Sequence, residues 1–153
     1  MKTLILYASK NGGTKEIAQR IANQMDNVTL CDLSGEIPQV EGFDCIVVGS
    51  SVYAAQIRKE ALAFLAKYED VLYTKRVGLF LSGIRENQEY WQKNFPSRML
   101  ADAKAAKFMG GIFDPKRAGL MDRFVMRVVG KIKTYHNDID DEKILEFVNK
   151  LKS

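Results

Sequence analysis

The chain has 153 residues, 46% of them hydrophobic and 27% charged, with a net charge of +4 at neutral pH. That is the size and balance of one globular domain, residues 1–153, able to bury a core without disulfide or metal staples. No apolar run reaches the roughly 20 residues of a membrane-spanning helix, and two cysteines without CxxC spacing, with a single histidine, leave no convincing zinc site.

In chain order, residues 3–7 form the first predicted strand, followed by Ser9, Lys10, Asn11, Gly12, Gly13 and Thr14. An amphipathic stripe of Ile17, Ala18, Ile21, Ala22 and Met25 then predicts a helix. The start carries one Lys before the apolar run, which ends in Ser-Lys-Asn-Gly-Gly and not in a small-residue cleavage site. No signal peptide is expected, and a cytoplasmic location is the default. Residues 28–33 predict a second strand, and 34–43, with Gly35, Pro38 and Gly42, a connection without a full helix. A third strand is predicted over 45–49. A second helical stripe contains Ile57, Ala61, Phe64, Leu65 and Tyr68, and a fourth strand covers 77–81. Trp91, Phe95 and Met99 suggest a third helix that Pro96 either breaks or restarts. A fifth strand is predicted over about 107–113. Leu120, Phe124, Val128 and Ile132 form a fourth helical stripe, and Ile144, Leu145, Val148 and Leu151 a fifth. Cys31 and Cys45 read as buried structural thiols, and His136 as a surface-loop histidine.

This alternation predicts an α/β domain: a doubly wound, five-stranded parallel sheet with helices on both faces. The first, third and fourth strands are almost continuously apolar, as strands covered on both sides are. Ligands of such sheets bind beyond the carboxyl ends of the strands. The candidate loops are therefore 9–14, 49–56 and 82–88. The first has two readings, a tight strand-to-helix turn capped by Thr14 or an anion cradle. As a cradle, helix N–H groups, close-wrapping glycines and the donors Ser9, Asn11 and Thr14 would hold a phosphate. Three polar, Gly- or Ser-containing loops at one end of the sheet favour a bound cofactor.

The stretch Ser9-Lys10-Asn11-Gly12-Gly13-Thr14 resembles the phosphate loop of the flavodoxin family, with Asn11 where that family generally has Thr. Gly49-Ser50-Ser51-Val52-Tyr53 is similar to its second flavin loop, without the tryptophan often found there. The resemblance implies strand order 2-1-3-4-5, non-covalent FMN and electron transfer as the chemistry. It implies that Ser9, Lys10, Asn11, Gly12, Gly13 and Thr14 hold the 5′-phosphate, with Lys10 either adding charge or pointing to solvent. Ser50, Ser51, Val52, Tyr53 and Ala54, with Ser82, Gly83, Ile84 and Arg85, would flank the isoalloxazine. Tyr53 is the first choice to stack on the ring, before Tyr90 and Trp91. Arg85 either favours the reduced anionic flavin or pairs with Glu86 or Glu89 in solvent. No metal ligand and no catalytic side chain is assigned, since neither a Ser/His/Asp nor a Cys/His constellation is present.

A narrower resemblance, to the menaquinone-dependent protoporphyrinogen dehydrogenases, rests on the basic residue in the phosphate loop. It rests also on the late segment Gly110-Gly111-Ile112-Phe113 and Asp122-Arg123-Phe124-Val125-Met126-Arg127. It implies an alternative activity, FMN-dependent and quinone-linked. Residues 116–133 carry Lys116, Arg117, Arg123, Arg127, Lys131 and Lys133 against the single acid Asp122. On a helix this is either a core-covering face with a solvated basic flank or a docking surface. A docking surface would suit an acidic redox partner or the anionic inner face of the membrane. Nucleic acid is not expected, because aromatic and basic residues are not interleaved.

Overall fold

The structure, a computed structural model, describes residues 1–113 and 136–153. Its elements are β1 (Thr3–Ala8), α1 (Gly13–Asn23), β2 (Val28–Asp32), a 3-10 turn (Val40–Gly42), β3 (Cys45–Tyr53), β4 (Gln56–Ile57), α2 (Lys59–Leu72) and β5 (Arg76–Ser82). There follow α3 (Glu89–Asn94), α4 (Ser97–Asp102), β6 (Ala105–Phe108), β7 (Ile112–Phe113), β8 (His136–Asn137) and α5 (Asp141–Lys152). The long strands pair in parallel in the order β2-β1-β3-β5-β6. This is the expected 2-1-3-4-5 path once the two-residue β4, antiparallel to the end of β3, is counted.

Alternate residues of each strand feed alternate faces, the consequence of the two-residue strand period. Leu4, Leu6, Ile46, Val48, Leu79 and Leu81 pack with Phe64, Leu65, Trp91 and Met99 of α2, α3 and α4. Ile5, Tyr7, Val47 and Phe80 pack on the other face with Ile17 and Ile21 of α1 and Ile144, Phe147 and Val148 of α5. Asp140 opens α5 by accepting the N–H groups of Glu142 and Lys143. At its other end the Arg76 guanidinium donates to the carbonyl oxygens of Leu151, at 2.5 Å, and Ser153, at 3.0 Å.

Four local outcomes differ from the periodicity. The third helical stripe is two short helices, because Phe95 precedes Pro96 and is extended at φ −127°; Trp91 stacks on Phe95 with ring centroids 5.5 Å apart. The third strand runs on to Tyr53, since Ser50 and Ser51 still pair with Leu81 and Ser82 of β5. The fifth strand spans Ala105–Phe108, and Gly110 turns the chain at φ +82°, so that Ile112–Phe113 instead pairs antiparallel with His136–Asn137. In α5 Leu145 is exposed, and Phe147 takes its place in the core. The basic stretch 116–133 and the stripe Leu120 to Ile132 lie outside the described residues.

Cys31 and Cys45 are buried and unbridged. Burial pushes the Cys45 thiol up to about 11, so it is a packed, protonated group at neutral pH.

At Gly49 the Phe80 ring fills the space that a side chain would take. A Cβ there would lie 2.0 Å from Phe80 Cζ, its register partner on β5. Gly49→Ala is expected to cost about 3 kcal/mol of unfolding free energy by overpacking. Gly49→Ala/Phe80→Leu should be more stable than the sum of its single changes. Urea denaturation of the four proteins checks both.

Candidate functional site

The segments that follow β1, β3, β5 and β6 meet above the carboxyl edge of the sheet. They enclose an open cleft of about 540 Å³, part of it open to solvent. Ser9, Lys10, Asn11, Gly13 and Thr14 form one wall. Ser51, Val52, Tyr53 and Arg58 form a second, and Ser82, Gly83, Ile84, Gly111 and Ile112 a third.

The first wall is a helix start. Gly12 adopts φ +91°, a left-handed conformation that glycine enters without a side-chain clash. Its N–H donates to Ser9 Oγ at 3.0 Å, which closes the loop on itself. The first intrahelical bond is Glu16 N–H to Gly12 O, at 3.0 Å. The N–H groups of Gly13, Thr14 and Lys15 precede it and have no intrahelical acceptor. With the positive end of the helix dipole, they make an anion-binding end. Thr14 Oγ1 and Ser82 Oγ, both buried, lie 2.6 Å apart and join this wall to the third.

The second wall is a hairpin. Val52 and Tyr53 pair with Ile57 and Gln56 across a two-residue turn, Ala54 and Ala55, with φ of +49° and +65°. Positive φ at both turn residues is the geometry of a type I′ hairpin, which favours Asn-Gly, and alanine enters it under strain. The buried Asn94 of α3 holds the turn. It accepts the Ile57 N–H at 3.1 Å and donates to the carbonyls of Ala55, at 3.0 Å, and Tyr90, at 2.7 Å. From the other side Ser50 Oγ accepts the Arg58 N–H at 3.0 Å. Lys10 reaches across from the first wall, its Nζ 5.5 Å from the Tyr53 ring centroid. Tyr53 itself is exposed.

The third wall is braced from behind. Gly83 N–H donates to Gly110 O at 3.0 Å, and a Cβ on Gly111 would lie 2.8 Å from Gly83 O. Asp138 holds this backing strand in place by accepting the Gly111 N–H at 2.8 Å.

Most residues singled out from the sequence thus come together. Gly12, Ser50, Ala54 and Arg85 are not among those lining the cleft. Gly12 shapes the loop, the buried Ser50 pins Arg58, Ala54 forms the turn, and Arg85 is exposed just beyond Ile84. Tyr90 and Trp91 pack into the core on α3. Arg58, Gly111 and Ile112 line the cleft without having been singled out. Ile57 reads as part of a helical stripe, which hides the hairpin that returns Arg58 to the cleft. The Gly110-Gly111 pair was the available sign that the fifth strand breaks.

A parallel doubly wound sheet with a phosphate-type helix start and two flanking loops defines a nucleotide-cofactor class of α/β protein. The family model for the flavodoxin domain matches residues 4–140, and the chain belongs to the flavodoxin family. It is 23% identical to the protoporphyrinogen IX dehydrogenase [quinone] of Escherichia coli K12, over 94% of this chain and 87% of that one. Among solved structures, oxidised flavodoxin 2 from Bacillus cereus superposes with a TM-score of 0.62 at 22% identity, covering 99% of this chain and 98% of the other. The flavodoxin of Fusobacterium nucleatum bound to flavin mononucleotide gives 0.59 at 15% identity, over 99% and 98% of the two chains.

Asn94→Ala removes the hydrogen-bonding partners of a buried N–H and a strained turn. It is expected to cost about 2 kcal/mol, and Ala55→Gly in that background should recover about 1 kcal/mol by relieving the positive φ. Chemical denaturation of the single and double variants measures this.

Proposed function

We propose that this protein binds FMN non-covalently in the cleft and transfers electrons to and from it, residues 1–153 acting as one flavodoxin-like domain. The observation that carries the reading is the convergence of an anion-binding helix start with two flanking loops on one cleft, in a member of the flavodoxin family. The residues present suit the group. The N–H groups of Gly13, Thr14 and Lys15, with the Ser9 and Thr14 hydroxyls and the Asn11 amide, would hold the phosphate. Ser51, Val52 and Tyr53 on one side and Gly83 and Ile84 on the other would flank the ring, with Tyr53 as the stacking aromatic. When bound, FMN supplies one- or two-electron chemistry, while the chain binds it, orients it and shields it from water. Lys10 puts positive charge beside the cleft and Arg85 adds one beyond its edge, while Arg58 is paired with Glu60 at 3.4 Å. The two cations suit electron exchange with an acidic protein or an anionic small molecule.

A second reading has one specific support, the match to a quinone-linked protoporphyrinogen IX dehydrogenase along 94% of the chain. On that reading a quinone is the electron acceptor and residues 116–133 rest on the anionic inner face of the membrane, with the protein otherwise cytoplasmic. Among the described residues no helix is long and apolar enough to cross a membrane.

The purified protein should be yellow and release FMN on denaturation, and the apoprotein should take up one FMN in calorimetric titration. Tyr53→Ala should weaken FMN about fivefold, the worth of one aromatic contact. An apoprotein that ignores FMN would refute the proposal. Mixing the reduced protein with a menaquinone analogue, and the oxidised protein with protoporphyrinogen, separates the readings. Turnover of both supports the dehydrogenase, and reaction with neither supports a carrier between proteins.

A further inference from the structure

Ser82 ends β5 and Thr14 lies in the first turn of α1, 68 positions apart in the chain, yet their hydroxyl oxygens are 2.6 Å apart. Thr14 is 1% exposed and Ser82 2%, and both border the cleft. A hydroxyl has one proton to give and lone pairs to receive with, so the pair has two arrangements with opposite consequences. If Thr14 donates to Ser82, Thr14 offers the cleft only lone pairs, which repel an anion. If Ser82 donates to Thr14, the Thr14 proton is free to point to an anion at the start of α1. An anion there selects the second arrangement, and a chain of hydrogen bonds ending on a charge strengthens each of its members.

We propose that Ser82 is a positioning residue for the phosphate end of the ligand: its hydroxyl donates to Thr14 Oγ1 and thereby turns the Thr14 proton toward the phosphate. The inference rests on the reading of the cleft as an FMN site. It moves Ser82 from the ring side, where its neighbours Gly83 and Ile84 would stay, to a place behind the phosphate loop. Specificity for a phosphate ester over its dephosphorylated form then depends in part on a residue of the third wall, which need not itself touch the phosphate.

The test is calorimetric titration of the apoprotein with FMN and with riboflavin, for the parent, Ser82→Ala, Thr14→Val and the double variant. Ser82→Ala should raise the Kd for FMN five- to tenfold, the size of one hydrogen-bond contribution, and leave that for riboflavin within about twofold. Thr14→Val should cost at least as much for FMN, and the double variant no more than Thr14→Val alone, because Ser82 acts through Thr14. The phosphorus resonance of bound FMN should shift in Ser82→Ala, while the visible spectrum of the ring stays put. Ser82→Cys, which keeps the side-chain volume and donates weakly, should repeat the FMN loss even if the alanine variant folds poorly. Equal losses for FMN and riboflavin, or losses that multiply in the double variant, would overturn the proposal. A parent protein that binds neither flavin would instead overturn the FMN reading beneath it.

Discussion

The register in which β1, β3 and β5 pair fixes everything above the sheet. Ala8 lies beside Ser50, and Ser51 beside Ser82, so β1 and β5 finish within about one residue of each other on either side of β3, which runs on to Tyr53, and three chain segments leave the sheet side by side. A shift of one residue in any of the three would turn its apolar side chains to the wrong face, and would carry its loop out of the cleft. Gly49 is part of that constraint. The Phe80 ring occupies the space where its Cβ would be, so the two central strands fit in one way, with Phe80 at the core face that α1 and α5 cover.

On that base the walls differ in how they are held. The first is held by helix geometry, with Gly12 in a left-handed conformation and Ser9 closing the loop. The second is a strained hairpin, kept in place by Asn94 on one side and Ser50 on the other. The third is braced by a glycine pair and by Asp138. Buried polar side chains satisfied by backbone groups are costly to disturb, and here Asn94 and Ser50 fix the second loop of the cleft in that way. The Thr14–Ser82 contact crosses from the first wall to the third and ties the start of α1 to the end of β5.

Much of this is written in the chain. Near-continuous apolar runs at residues 3–7, 45–49 and 77–81 announce buried parallel strands, and Gly12-Gly13-Thr14 ahead of an amphipathic stripe announces the helix start. What escapes is long-range. Asn94 reads as an ordinary polar residue in a helical stripe, and only the fold brings it under the turn at Ala55. Arg58 follows Ile57, whose spacing fits a helix, although antiparallel pairing with Val52 makes it a strand residue. Ala54-Ala55 carries no turn signature, because tertiary hydrogen bonds impose a backbone that alanine does not prefer. The family model, by contrast, spans residues 4–140 and so takes in all three loops.

An FMN bound in this cleft would touch all three walls at once, with its phosphate at the start of α1. Amide chemical shifts followed during titration of the apoprotein with FMN test it most directly. The account predicts that Gly12, Gly13 and Thr14, Ser51 to Tyr53, and Gly83 and Ile84 shift along one saturation curve, and that riboflavin leaves the first group almost unmoved. Shifts confined to one wall, or a first group that responds equally to riboflavin, would contradict it.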